Sequence, residues 1–161
     1  QQKRCWPIEN FIDLGKSLIE KQKAKLLIIG GPNEKEIASK FDQLPKDKVI
    51  NLVGKTNLRE TAAAIELADL FIGNDSGPMH IAAATGIPIV EISSQALSGS
   101  KSGAHSPERF GPWGNQKILI LQPENALGAC VDECEAEEAH CISQIKVQEV
   151  VHASELILSQ P

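Results

Sequence analysis

Apolar positions along this chain alternate between helical stripes and short continuous runs. Ile8, Phe11, Ile12, Leu18 and Ile19 follow Pro7 at i, i+3, i+4 spacing, so residues 7–22 are predicted as an amphipathic helix with proline in its first turn. Lys25 to Ile29 is a continuous apolar run closed by Gly30-Gly31-Pro32, the pattern of a buried strand. Asn33 with Glu36 predicts a capped helix whose inner face is Ile37, Phe41 and Leu44. A second strand is expected over 49–53, and Asn57 with Glu60 caps an alanine-rich helix running to about Ala68. Leu70 to Ile72, Ile87 to Ile92 and Lys117 to Leu121 are the third, fourth and fifth strands. Helices are expected over 80–85, stopped by Gly86, and over 147–158.

Strands that are apolar throughout and separated by helices belong to a parallel sheet covered on both faces. The fold class is therefore α/β, a doubly wound, Rossmann-like parallel sheet formed as one domain over 1–161. Such domains open with a strand, whereas this pattern opens with a helix. The first strand is therefore expected to lie outside the chain, which begins Gln-Gln-Lys-Arg without Met and reads as a piece of a longer protein.

Charge and composition narrow the function. Sixteen Lys and Arg against 21 Asp and Glu leave a net charge of −5, which disfavours a nucleic-acid partner because phosphate backbones demand clustered positive charge. No apolar run approaches the ~20 residues that span a bilayer, so at most peripheral membrane contact is expected. Four cysteines are too few for a disulfide scaffold, and the chain reads as reduced and cytoplasmic. No G-x-G-x-x-G, G-x-x-x-x-G-K-[ST], H-E-x-x-H or G-x-S-x-G run occurs, which disfavours the dehydrogenase, P-loop, zinc-protease and α/β-hydrolase chemistries.

Chemistry is expected beyond the carboxyl ends of the strands. The segment Asn74-Asp-Ser-Gly-Pro-Met-His80 follows the third strand and opens a helix. Gly77 lets backbone approach a ligand closely, Pro78 suits a first turn, Ser76 adds a hydroxyl and His80 a donor one turn inside. With the free amides and the positive end of the helix dipole, these form an anion site fitted to a phosphate or diphosphate. The plainer alternative is that Asp75 and Ser76 only cap a core helix and His80 is a satisfied histidine. Residues 93–116 make a Ser- and Gly-rich loop of the length that is usually functional or mobile. Cys130-x3-Cys134-x5-His140-Cys141 carries zinc-ligand residue types, but without the tight cysteine pairs of standard zinc knuckles. Cys141 reads instead as a small buried hydrophobe, and no metal ligand is assigned.

The run N-D-S-G-P-M-H-I-A-A-A-T-G-I-P-I-V closely resembles the signature of glycosyltransferase family 9, the ADP-heptose:lipopolysaccharide heptosyltransferases. K-R-C-W-P-I-E-N-F, I-G-G-P-N-E-K-E, R-F-G-P-W-G-N-Q and C-I-S-Q-I-K-V-Q-E-V resemble further segments of the same family, in order. The resemblance covers nearly the whole chain but only the C-terminal, donor-binding half of a two-domain GT-B enzyme. It implies that Ser76, Gly77 and His80 hold the donor diphosphate and that Asp75 orders the turn. It implies a phosphate contact from Lys3 or Arg4, a ribose contact from Glu34 and an adenine pocket at Thr56. Trp6, in the same segment, reads as a packing anchor.

The implied reaction moves a heptose or related sugar from ADP-heptose, a substrate rather than a cofactor, to a saccharide of the lipopolysaccharide core. The catalytic general base is expected in the other half, so no catalytic residue is assigned to this chain. The rival readings are a truncated or degenerate nucleotide-binding module without catalysis, and a GT-B sugar-nucleotide epimerase.

Overall fold

Hydrogen bonding divides the strands into two parallel sheets rather than one. A computed structural model describes residues 2–103, 105–128, 130 and 136–159. Strands β1 (Leu26–Ile28) and β2 (Val49–Asn51) pair in the first sheet, and β3 (Phe71–Asn74), β4 (Ile89–Ile92) and β5 (Ile118–Leu121) pair in that order in the second. The helices are α1 (Ile8–Gln22), α2 (Lys35–Ala38), α3 (Leu58–Glu66), α4 (Gly77–Thr85), α5 (Pro107–Phe110) and α6 (Val147–Ser159). The α/β class and parallel sense agree with the sequence reading. The break into two sheets departs from the single expected sheet, because β1 and β3 each bond to a strand on one side only.

Helix α1 spans that break. Ile12 packs with Phe41 and Leu44, alongside Leu26, Ile28 and Val49 of the first sheet. One turn on, Leu14 and Leu18 pack with Val90 and Ile92 of β4 and with Val150, Val151 and Ile157 of α6. Each such side chain, once buried, contributes roughly 1.5–3 kcal/mol, so the helical stripe is enough to hold the two sheets under one layer. The opposite layer is α3 and α4, where Ile65, Met79 and Ala82 meet Ile89. Alternation along β4 therefore sends Val90 and Ile92 toward α1 and α6, and Ile89 and Glu91 toward α4. All four β4 residues are buried, as a central strand with both faces covered requires.

Several local expectations need correction. Pro7 is the N-cap of α1 rather than a first-turn residue, although its carbonyl does accept the amides of Asn10 and Phe11. Asn33 does not cap α2, because the chain turns one step earlier. Pro32–Glu34 is a 3-10 turn, and the Glu34 carboxylate reaches back 2.6 Å to accept the Gly31 amide. Ile37 is consequently turned to solvent at 45% exposure, while Phe41 and Leu44 are buried as expected. Helix α4 begins at Gly77 and not at His80. The expected cap of α3 is present: the Asn57 side chain accepts the amides of Arg59 and Glu60, and Glu60 returns a bond to the Asn57 amide. The loop over 93–116 contains the short α5, capped by Ser106. Cys134 lies outside the described residues.

Candidate functional site

The carboxyl end of β3 is fixed by one side chain. Asn74 donates to the Ile92 carbonyl of β4 at 3.1 Å, and its oxygen accepts the Trp6 amide at 3.3 Å. The segment carrying Lys3 and Arg4 is thereby tied to the start of α4. Trp6 anchors it further: the ring is buried, its Nε1 donates to the Ile145 carbonyl at 2.9 Å, and Phe11 meets it edge-on with ring centres 5.0 Å apart. The packing role read from the sequence is what the structure shows.

At the N-terminus of α4, Ser76 occupies the N-cap with extended backbone but makes no side-chain cap bond. Its hydroxyl donates instead to the Asn74 carbonyl at 3.1 Å. The plain capping alternative therefore fails for Ser76, whose oxygen keeps its acceptor capacity at the helix mouth. Met79 and His80 both turn their amides back to the Ser76 carbonyl, and Pro78 has no amide hydrogen. Gly77, as the first helical residue, has no intrahelical acceptor for its amide. A Cβ built on Gly77 meets no heavy atom within 4 Å, so the space beside this backbone is open. His80 is about half-exposed, and its Nε2 lies 3.9 Å from Asp75 Oδ1, so the Asp75 carboxylate orients the ring without a direct hydrogen bond. The Ser76 hydroxyl, an exposed imidazole, the Gly77 amide and the helix dipole thus stand within one helical turn, with open space beside Gly77. That is the chemistry of an anion site.

The other predicted residues fall at the ends of neighbouring strands. Arg4 donates to His105 Nδ1 at 2.7 Å, which brings the 93–116 loop over the N-terminal segment. Lys3 lies beside Arg4 in the 3-10 turn Gln2–Arg4 and is half-buried. Glu34 sits over the Gly30–Gly31 turn beyond β1, where a Cβ on Gly30 would come within 2.8 Å of its carboxylate. Local burial pushes the Cys5 thiol up even though the residue as a whole is exposed; the Glu34 charge adds to this and the Arg4 charge opposes it. Glu34 and Arg4 therefore border the same stretch of chain. Thr56, after β2, shares a 2.8 Å hydrogen bond with Thr61 and so faces the start of α3. The structure joins Asp75, Ser76, Gly77 and His80 in one turn, links Lys3 and Arg4 to it through Trp6 and Asn74, and leaves Thr56 engaged elsewhere.

One residue of this region escaped the sequence reading. Glu91 is 0% exposed on the α4 side of β4, and neither carboxylate oxygen has a hydrogen-bond partner among the described residues. Burial pushes its pKa up to about 7, and the nearby Asp75 charge adds to the effect. The signal was present as one acidic letter inside the apolar run Ile-Val-Glu-Ile, which the continuous-strand pattern absorbed.

Comparison with known proteins identifies the family and the fold. The sequence profile of glycosyltransferase family 9 (heptosyltransferase) matches residues 1–140. Lipooligosaccharide heptosyltransferase 2 of Campylobacter jejuni is 31% identical over 138 residues, covering 81% of this chain and 40% of the relative. The lipopolysaccharide core heptosyltransferase OpsX of Haemophilus influenzae is 29% identical over 124 residues, 75% of this chain and 33% of its own length. Among solved structures, the family 9 glycosyltransferase of Veillonella parvula superimposes with a TM-score of 0.75 at 25% identity, over 98% of this chain and 43% of the other. The Escherichia coli heptosyltransferase WaaC solved with ADP shares the fold, with a TM-score of 0.69 at 21% identity, over 97% and 41% of the two chains. The chain thus spans 33–43% of the length of these relatives. With a profile match over 140 of its 161 residues, the chain belongs to glycosyltransferase family 9.

Proposed function

We propose that this chain is the donor-binding part of a heptosyltransferase that takes its sugar from ADP-heptose and passes it to a saccharide of the lipopolysaccharide core. The observation that carries the proposal is the mouth of α4, where the Ser76 hydroxyl, the Gly77 amide and the half-exposed His80 ring lie within one turn and the space beside Gly77 is open. Support comes from relatives named as lipopolysaccharide and lipooligosaccharide heptosyltransferases, and from a fold neighbour solved with ADP.

The chemistry asked of this part is charge stabilisation. As the sugar leaves, negative charge builds on the diphosphate, and donors already in position stabilise it without reorganising. The Gly77 amide and the His80 ring supply those donors, the Ser76 hydroxyl joins them by turning from the Asn74 carbonyl to the phosphate, Asp75 steadies the His80 ring, and Lys3 or Arg4 supplies positive charge from across the turn. Glu34 has a second carboxylate oxygen beyond the one that holds Gly31, suited to a ribose hydroxyl. The base that deprotonates the acceptor belongs to the remainder of the enzyme.

The direct test is a calorimetric titration of ADP into the intact protein carrying this chain. His80→Ala removes one charge-assisted bond and is expected to weaken binding by about 1.5–3 kcal/mol, with the unfolding midpoint unchanged. Unaltered ADP affinity in that variant would remove His80 from the site.

A further inference from the structure

We propose that Cys130, His140 and Cys141 form a zinc site that fastens the segment leaving β5 to the turn that enters α6. His140 Nδ1 lies 3.9 Å from Cys130 Sγ and 3.5 Å from Cys141 Sγ. All three ligand atoms fall within 4.8 Å of one another. Zinc bonds thiolate at about 2.3 Å and imidazole at about 2.0–2.1 Å, so tetrahedral angles imply sulfur–nitrogen separations near 3.5 Å and sulfur–sulfur separations near 3.8 Å. An ion at the centre closes this triangle with movements of about an ångström or less.

Three further features favour the metal. The Leu127 amide donates to Cys141 Sγ at 3.3 Å, which fixes the position of that sulfur in the cluster. Cys141 is buried and adjoins Ile142, which is wholly buried in the main core, so the ligand set is anchored to rigid structure. Cys130 and His140 are half-buried, which leaves a side for the ion to enter. Two thiolates and a neutral imidazole are a soft donor set that suits zinc and not magnesium or calcium. Two thiol protons leave as the ion binds, and the described residues supply three of the four ligands of a tetrahedral ion.

Linear spacing concealed the site, since Cys130 and His140 are ten residues apart and neither belongs to a tight cysteine pair. The chain path after β5 brings them together. Fastening at this point holds the 122–146 segment, whose Gln144 side chain already donates to the Asn125 carbonyl at 2.9 Å.

Cobalt titration of the intact protein under reducing conditions tests the proposal. One equivalent is expected to bind with a thiolate-to-cobalt charge-transfer band and the intense visible bands of a tetrahedral site, and one equivalent of zinc is expected to displace it. Cys130→Ser and His140→Asn, both at half-buried positions, are each expected to lower zinc affinity by more than about 100-fold, since losing even an outer-shell partner costs 10–100-fold. Zinc is also expected to raise the unfolding temperature of the parent protein but not of Cys130→Ser. Absence of cobalt binding, cobalt spectra without thiolate bands, or unchanged zinc affinity in both variants would each overturn the site.

Discussion

A carboxylate buried without a partner costs the fold most when it is charged, and Glu91 is such a group. Its folded pKa of about 7 stands above the ordinary carboxylate value of 4.5, so the folded state holds the proton more tightly than the unfolded one. The resulting stability is full below about pH 4.5 and is lost as pH rises through 7, about 3 kcal/mol in all. Glu91→Gln keeps the shape without the charge. It is expected to raise the unfolding midpoint at pH 8 and to leave it nearly unchanged at pH 4.5, as read by thermal melts of both proteins. Equal gains at both pH values would mean that ionisation of Glu91 does not bear on the fold. Gly77 tests the opposite property, freedom from internal contact. Because a Cβ there meets nothing, Gly77→Ala is expected to leave the melting temperature almost unchanged while lowering ADP affinity severalfold in calorimetry. At this scale the sequence was informative where chemistry is local: Ser76, Gly77, Pro78 and His80 are consecutive enough for a helix mouth to be read directly. Glu91 was not legible because its meaning depends on what covers the strand, and that is set by α4 from elsewhere in the chain.

Among the elements, strand ends carry the proposed site and short turns decide where they point. Asn74 bonds β3 to β4 and to the segment before α1, so it joins three elements through one side chain. Asn74→Ala leaves the Trp6 amide and the Ile92 carbonyl without that partner. It is expected to lower stability by about 1–3 kcal/mol, visible as a reduced denaturant midpoint with an unchanged m-value. A changed m-value would indicate that the alanine alters the extent of the folded core instead. Long periodic elements such as α1 and α6 were visible in sequence because many residues vote for one face. The region after β1 was misread for a physical reason. Asn33 with Glu36 has the letters of a capping box, but Pro32 starts the turn early and Glu34 captures the Gly31 amide first, which rotates Ile37 out to solvent. Glu34 itself was picked out from resemblance, and the structure gives it the backbone contact that holds its carboxylate over the glycine turn.

For the whole molecule, the sheet order is the informative feature. The observed orders are β2–β1 and β3–β4–β5. A parallel strand inserted between β1 and β3 would make one six-stranded sheet in the Rossmann order 3-2-1-4-5-6. Among the described residues, β1 and β3 each lack a neighbouring strand on one side, beneath α1, whose side chains touch both sheets. A chain extended upstream by about fifteen residues, enough for one strand and its turn, is expected to unfold at a higher temperature and to aggregate less than the 161-residue chain. Equal melting temperatures and equal light scattering would place the strand outside this core. The periodicity led to the expectation of a single sheet of parallel strands. It did not reveal how the remaining strands would separate.

The central claim is that the mouth of α4 holds the donor diphosphate. The most direct measurement is amide mapping by heteronuclear NMR of the isotopically labelled intact protein as ADP is added. The account predicts that the largest saturable shifts fall on Gly77, with accompanying changes at His80, Arg4 and Gly31, and that His80→Ala reduces them all. Saturable ADP binding that leaves the Gly77 amide unmoved, or shifts gathered on another face of the sheet, would contradict it.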